Sequence, residues 1–269
     1  MFTIRRAAAV MSAALLTVVG LSAPAAQADN HTSAVSILHA VPDATVDVWA
    51  NGKPLLTNFA PGTLTEPQML PAGSYDIKIV KAGDGADGAA VIEAKGLKVP
   101  AGANLTLAAH LDAAGKPALA AFANDTSASA KGSRLTVRHL AAAPAVDIRA
   151  GGTVVVPGLT NPKEAKLDLA PGKVSADVVL ADTDTVAIGP ADVTLTQNMN
   201  TIVYAWGSAE GNNLKLAVQQ VALGGKGMPD TGVATADSDL TLPLGLGVLG
   251  VIAAVGAVVA TRKVAAVRS

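Results

Sequence analysis

The chain has 269 residues, half of them hydrophobic and only 3% aromatic, and it contains no cysteine. The absence of thiols excludes disulfide cross-links, thiol catalysis and cysteine-ligated zinc, so the fold must be stabilised by burial alone. With 20 basic and 21 acidic residues the net charge is −1, which gives the chain no electrostatic reason to bind nucleic acid.

Residues 1–28 have the pattern of a secretory signal peptide. Arg5 and Arg6 form a basic start, an apolar run follows over residues 7–21, and Ala26-Gln27-Ala28 is an A-x-A cleavage site. Because the apolar run is short for a membrane span, we expect cleavage before Asp29 rather than a retained anchor. The chain is therefore predicted to be exported.

The next part of the chain contains two similar segments, predicted as domains over residues 29–124 and 133–223 with a linker at 125–132. The first segment has seven strand-forming runs separated by Gly- and Pro-containing turns: 35–39, 45–50, 64–70, 75–80, 90–99, 105–111 and 118–122. This spacing, with no amphipathic helical pattern, is typical of a β-sandwich. We therefore expect an all-β protein with two tandem immunoglobulin-like antiparallel sandwiches.

Each segment carries a His–Asp pair, His39 with Asp47 and His139 with Asp147. Strand parity places each histidine on the face of its apolar neighbours, so we expect it to point inward at a strand end. The pair is either an acid–base or metal site, or a structural device in which backbone groups or the Asp hydrogen-bond a buried imidazole. We favour the structural interpretation, because no nucleophile or third ligand recurs in both segments. The sequence therefore predicts no catalytic residue, no metal and no cofactor.

Trp49 has the parity of Asp47, opposite to Val46 and Val48, and is expected to face outward beside the turn at Asn51-Gly52. An exposed tryptophan there could contact a partner or a glycan. Packing against the other sheet or the neighbouring domain is the alternative.

The loop 83–88 matches the letters of a phosphate-binding G-x-G-x-x-G motif. A predicted strand follows it instead of a helix, and Asp84 and Asp87 would repel a phosphate. We expect a hairpin loop, with weak calcium binding as the alternative.

The C-terminal region combines a short motif with a predicted membrane helix. Residues 224–239 contain the motif Met228-Pro229-Asp230-Thr231-Gly232 and a polar spacer, and the run 242–260 has no charge. This run predicts a transmembrane helix over 240–261, and its basic flank predicts a cytoplasmic tail at 262–269.

This arrangement resembles the sorting signal of Gram-positive surface proteins, with Met228 where that family usually has Leu. In that family a sortase cleaves between Thr and Gly and joins the threonine to the cell wall. The resemblance implies sortase and peptidoglycan as partners, Thr231 as the joined residue and a location at the cell surface. Wall anchoring, or membrane anchoring through the helix, is expected to hold the mature domains outside the cell.

A second resemblance lies at the start of each segment. His39-Ala40-Val41-Pro42-Asp43-Ala44, followed by Val46-Asp47-Val48 and an Asn-Gly turn, resembles the bacterial domain of unknown function 4397 family. The second segment keeps His139, Pro144 and Val146-Asp147-Ile148. The resemblance implies exported, often tandem, β-rich modules and no known chemistry.

These features predict an exported surface protein whose two non-catalytic modules have a structural, adhesive or display role toward an unknown surface ligand. A glycan- or peptidoglycan-binding module is the first alternative, although six aromatic residues between 29 and 231 are few for that role. A hydrolase using the His–Asp pairs is the second, and we disfavour it because catalysis concentrates polar residues in one cleft.

Overall fold

A computed structural model describes residues 31–224, in which all the regular structure is β-strand. The predicted signal peptide, sorting motif, membrane helix and basic tail lie outside the described residues. Within the described range, no helix has the length and hydropathy needed to span a membrane.

Sixteen strands form two units of eight. The first unit contains β1 (Thr32–Ala40), β2 (Val46–Ala50), β3 (Lys53–Phe59), β4 (Gln68–Pro71), β5 (Gly73–Lys81), β6 (Ala90–Val99), β7 (Asn104–Leu111) and β8 (Pro117–Ala123). The second contains β9 (Ser133–Ala142), β10 (Val146–Ala150), β11 (Thr153–Leu159), β12 (Glu164–Leu169), β13 (Gly172–Leu180), β14 (Val186–Leu195), β15 (Met199–Ser208) and β16 (Lys215–Ala222).

Each unit is sandwich-like, with two four-stranded sheets. The first unit has sheets in the order β4-β1-β7-β8 and β3-β2-β5-β6, and the second has β12-β9-β15-β16 and β11-β10-β13-β14. The second unit therefore has the strand order of the first with every number raised by eight. The expected all-β class is confirmed.

The expectation of purely antiparallel sheets is wrong at one strand pair in each unit. β1 pairs with β7 in parallel, and β9 pairs with β15 in the same way. The Gly- and Pro-containing turns in the sequence indicate hairpins, whose strands are antiparallel. β1 and β7 are separated by five strands, four of them in the opposite sheet, so no hairpin restricts their relative direction.

The strand predictions also missed β3 and misplaced β4. Asn51 and Gly52 both have positive φ, 50° and 74°, as a two-residue hairpin turn requires, and β3 starts directly after them. Most of β3 is exposed, and it lies at a sheet edge where Pro54 is tolerated. Of the run predicted at 64–70, only the end belongs to β4, while Leu64 forms a single bridge to Leu38.

The two faces of β1 are both buried, one within the first unit and one against the second unit. Val35 and Ile37 point into the core between the two sheets of the first unit. Leu38 and Ala40 point the other way, yet they too are fully buried. They pack against Leu140, Ile202 and Tyr204 of the second unit. The sheets β4-β1-β7-β8 and β12-β9-β15-β16 therefore lie against each other through a third core, which we call the interunit core.

Candidate functional site

His39 lies near the end of β1 and is almost fully buried, with 1% of its surface exposed. Its Nε2 is 2.6 Å from the carbonyl oxygen of Ala44, and its Nδ1 accepts a hydrogen bond of 3.4 Å from the amide of Val41. A carbonyl requires a donor and an amide requires an acceptor, so this geometry fits the neutral ring with its proton on Nε2. Burial lowers the pKa of His39, which favours the same state.

His139 makes the same contacts at the end of β9. Its Nε2 is 3.0 Å from the carbonyl oxygen of Pro144, and its Nδ1 accepts from the amide of Ala141 at 3.3 Å. Burial also lowers the pKa of His139. Each imidazole therefore ties the end of its strand to the turn that follows it.

Asp47 joins β3 to the turn after β5 by accepting backbone hydrogen bonds. Oδ2 accepts from the amide of Gly83 at 2.9 Å and Oδ1 from the amide of Asn58 at 2.8 Å. These two bonds, Gly83 first, lower the pKa of the Asp47 carboxyl. Asp147 similarly accepts from the amide of Gly158 at 2.7 Å.

The structure does not bring the histidines and aspartates together. Among residues 31–224, no hydrogen bond joins His39 to Asp47 or His139 to Asp147, because each side chain is engaged by backbone groups of a different segment. Within the same range, no group of three His, Cys, Asp or Glu side chains is arranged to hold a metal. The geometry of these four residues is that of side chains that fix turns and strand ends through backbone hydrogen bonds, and it offers no proton relay.

Trp49 is half-buried on β2, opposite Pro54 and Lys78 in the neighbouring strands. Its indole N–H is buried and has no partner within the described part of the chain. In the second unit the matching position is Arg149, which forms an ion pair with Asp177. Hydrogen bonding to Asp177 raises the pKa of Arg149. The outward position of Trp49 therefore differs chemically between the units.

The glycine-rich loop 83–88 connects β5 and β6 as a hairpin loop. The Lys78 ammonium, on β5, donates to the carbonyl of Ala86 at 2.7 Å and so holds the loop against the strand. Gly83 and Gly85 have φ of 90° and 72°, a conformation that favours glycine.

A polar network in the interunit core was missed by the sequence interpretation. The Arg138 guanidinium is fully buried, donates from Nε to Glu164 at 2.8 Å and from Nη1 to the Tyr204 hydroxyl at 2.9 Å, and lies 4.3 Å from the centre of the Phe122 ring. Tyr204 in turn donates to Gln219 at 2.5 Å. Burial raises the pKa of Tyr204, which keeps this hydroxyl a donor.

Gln219 carries this network across to the first unit. Its Nε2 donates to the Ser36 hydroxyl at 3.2 Å, and its Oε1 accepts from the Thr106 hydroxyl at 2.9 Å. Polar side chains alternating with apolar ones on β1, β7 and β9 are the sequence signal for this surface. Alternation of polar and apolar residues normally indicates a strand with one face toward solvent. A polar face that is buried against another domain gives the same pattern, so the sequence does not distinguish the two.

A cleft of about 350 Å³ opens at one edge of the interunit core. Residues of both units line it: Pro42, Asp43, Ala44, Thr45 and Pro61 from the first, and Trp206, Asn213 and Lys215 from the second. The Lys215 ammonium lies 5.6 Å from the centre of the Trp206 ring, and Asn213 Nδ2 lies 3.5 Å from Asp43 Oδ2. The first four residues belong to the turn that His39 braces.

A family model described as a domain of unknown function (DUF4397) matches residues 33–149. The chain is similar to this family from the start of β1 to within β10, so the match covers the first unit and enters the second. The residues that carry the earlier resemblance, His39 to Ala44 and Asp47, lie inside it. A comparison with curated proteins returns no match to the chain.

Proposed function

We propose that this chain is an exported surface protein, anchored through the motif Met228 to Gly232, in which two immunoglobulin-like modules act as one non-catalytic structural, adhesive or display element. We further propose that the modules are tandem copies of the matched domain, extending over residues 29–124 and 133–223. The partners are then a sortase, wall peptidoglycan and, through the C-terminal helix, the membrane.

The observation that carries the proposal is the engagement of the repeated polar residues by backbone. His39 and His139 each bind a turn carbonyl, and Asp47 accepts from one amide in a turn and one in β3. Groups used in this way stabilise a scaffold, whereas acid–base catalysis needs a nitrogen or carboxylate directed at a substrate. The interunit core adds a second argument, since it makes the two units a single thick body suited to holding surface loops away from an anchor.

Replacing Thr231 with Ala tests the anchoring. In that family of sorting signals the threonine carbonyl is the group joined to the wall, so Thr231→Ala should move the protein from the wall fraction to the membrane fraction. The measurement is the amount of protein released from cells by wall-digesting enzymes against the amount released by detergent.

Thr235→Ala is the matched control, since it removes a threonine from the spacer and leaves the motif intact. It should fractionate as the unmodified protein does. An unmodified protein found only in the membrane fraction would show that Met228 prevents sorting and that the helix is the permanent anchor. Secretion of the unmodified protein into the medium would contradict both forms of anchoring.

Glycan or peptidoglycan binding is the second candidate function. The observation that favours it is the cleft between the units, which combines a carboxylate, a carboxamide and an ammonium beside an indole ring.

A further inference from the structure

The two corners of the interunit core are built differently. In the second unit, Asn161 donates from Nδ2 to the carbonyls of Leu111 and Ala141, at 2.8 and 2.6 Å, and so fastens its loop to the end of β7. The matching position in the first unit is Pro61, which has no side-chain donor. The loop of Pro61 approaches the end of β15 without such a fastening, and the cleft lies at this corner.

Gly62 packs closely against Trp206 at this corner. A Cβ atom placed on Gly62 would lie 3.0 Å from Cζ2 of Trp206, and Gly62 has a φ of 80°, so glycine is required there twice over. Trp206 occupies the position that His110 holds in the first unit, since each pairs with the strand end at Ala40 or Leu140. The second unit therefore contributes a large aromatic ring where the first contributes an imidazole.

The polar groups of the cleft suit a neutral ligand with several hydroxyl groups. Asp43 can only accept hydrogen bonds, Lys215 can only donate them, and Asn213 offers its Nδ2 as a donor, since its Oδ1 accepts from the amide of Ser208 at 2.8 Å. The two charges cancel, so the site does not select for a net charge. A sugar hydroxyl both donates and accepts, and it can therefore bind each of the three side chains.

The size and position of the cleft fit the same class. Ligand sites usually have volumes of roughly 300–1,000 Å³ and often lie between domains. The cleft has about 350 Å³, which corresponds to a mono- or disaccharide in this range. Lys215 lies on the face of the Trp206 ring and is itself exposed, so its side chain can leave the indole when a ligand enters.

We propose that this cleft, which we call the interunit cleft, binds a short neutral saccharide between Asp43 of the first unit and Asn213 and Lys215 of the second. Trp206, which is 2% exposed, lies at the base of the cleft. The inference deepens the adhesive role proposed above and rests on it. Because the binding residues come from both units, neither unit has the site alone.

The experiment uses the full chain in a detergent without a sugar headgroup. The chain has two tryptophans, Trp49 and Trp206, so a Trp49→Phe protein reports on Trp206 alone. Cellobiose, trehalose and N,N′-diacetylchitobiose are titrated separately, with fluorescence and calorimetry as the two readouts. We expect saturable binding of at least one of them, with a Kd on the order of 1 mM, as befits a small, solvent-exposed site.

Variants of the polar groups locate the binding. Lys215→Ala and Asp43→Asn should each weaken the calorimetric affinity by about tenfold or more. Asn suits position 43 because the φ there is 63°, a region that Asn tolerates. Lys98→Ala is the control, since this exposed lysine lies on β6, in the sheet that does not contribute to the interunit core. The affinity of this variant for the sugar should be unchanged. Thermal unfolding midpoints establish that each variant is folded.

Three outcomes would overturn the proposal. The first is no saturation with any of the disaccharides up to about 50 mM. The second is an affinity of the Lys215 and Asp43 variants equal to that of the unmodified protein, and the third is saturation by glycylglycine without saturation by the sugars. The last would identify a zwitterion site. None of these outcomes affects the fractionation of the Thr231 variant, so failure of the cleft and failure of the anchoring proposal are distinguishable.

Discussion

At the scale of single residues, the two buried histidines show how far a sequence pattern reaches. Parity along β1 and β9 predicts that His39 and His139 point inward, and the structure places both there. The acceptor of each ring, the carbonyl five residues further on, could not be predicted. It depends on the conformation of the turn, in which Asp43 takes a φ of 63°.

The buried imidazoles predict a stability that decreases in mild acid. Burial lowers the pKa values of His39, His110 and His139, so each is neutral in the folded chain and protonates more readily when unfolded. Below about pH 6.5, the ordinary histidine value, the unfolded state therefore binds more protons and the free energy of unfolding falls. Asp47 contributes in a separate window, because a carboxyl with a lowered pKa loses its contribution only below about pH 4.

The measurement is the urea midpoint at about pH 7.5 and about pH 5.5, on either side of the histidine value. His39→Gln keeps a polar side chain but does not titrate, so its midpoint should change less with pH than that of the unmodified chain. His39→Ala should lower stability at the higher pH by about 1–3 kcal/mol, because the Ala44 carbonyl loses its donor. Equal pH dependence in the unmodified chain and in His39→Gln would contradict the assignment of His39 as a buried neutral ring.

At the scale of strands, β5 and β13 occupy the same place in the two units but fill it differently. Ile77 and Ala176 occupy equivalent positions, because Ile77 pairs with Ala50 and Ala176 pairs with the equivalent residue, Ala150. Ile77 is buried in the first core, whereas Ala176 lines an apolar cavity of about 30 Å³ in the second. The shorter side chain leaves space between β13 and the facing sheet.

Filling this cavity should stabilise the second unit. Ala176→Val adds two methyl groups at the cavity wall, and we expect an increase in unfolding free energy of about 0.5–1.5 kcal/mol. Ser175→Val is the control on the same strand, since its exposed side chain gains β propensity without filling space. Equal gains in the two variants would show that propensity, rather than the cavity, limits stability there.

The strands themselves were predictable where alternation is strong and one face is apolar. β1, β2, β5, β6, β7 and β8 follow the predicted runs within a few residues. β3 was missed because Lys53, Pro54 and Asn58 give it the composition of a loop. Its strand geometry comes from the tight turn before it and from pairing with β2, which local composition does not encode.

At the scale of the whole molecule, the interunit core joins unlike partners. Arg138 and Tyr204 of the second unit take the positions of Leu38 and Ala108 in the first. Two large polar side chains therefore meet two smaller apolar ones, which fixes the pairing of one unit with the other. Both sets of residues are visible in the sequence. That they contact each other cannot be inferred from it, because in each unit alone these residues would face solvent.

The interunit core should make the two units unfold together. Isolated units would expose Leu38, Ala108 and Tyr204, all fully buried here, so separation costs apolar burial of roughly 25 cal/mol per Å². We expect one cooperative calorimetric transition for the full chain. Val221→Glu places a charge within the interunit core and should lower the midpoint and split the transition into two.

Val218→Glu is the matched control for Val221→Glu. Val218 lies on the same strand, β16, but 50% of it is exposed, against 6% for Val221. A charge at position 218 can therefore remain hydrated, and this variant should keep a single transition near the original midpoint. Two transitions in the unmodified chain, or identical scans for the two variants, would show that the units are energetically independent. The interunit cleft would then lie between bodies free to separate, and saccharide binding would have to raise the midpoints of both transitions at once for the site to be shared.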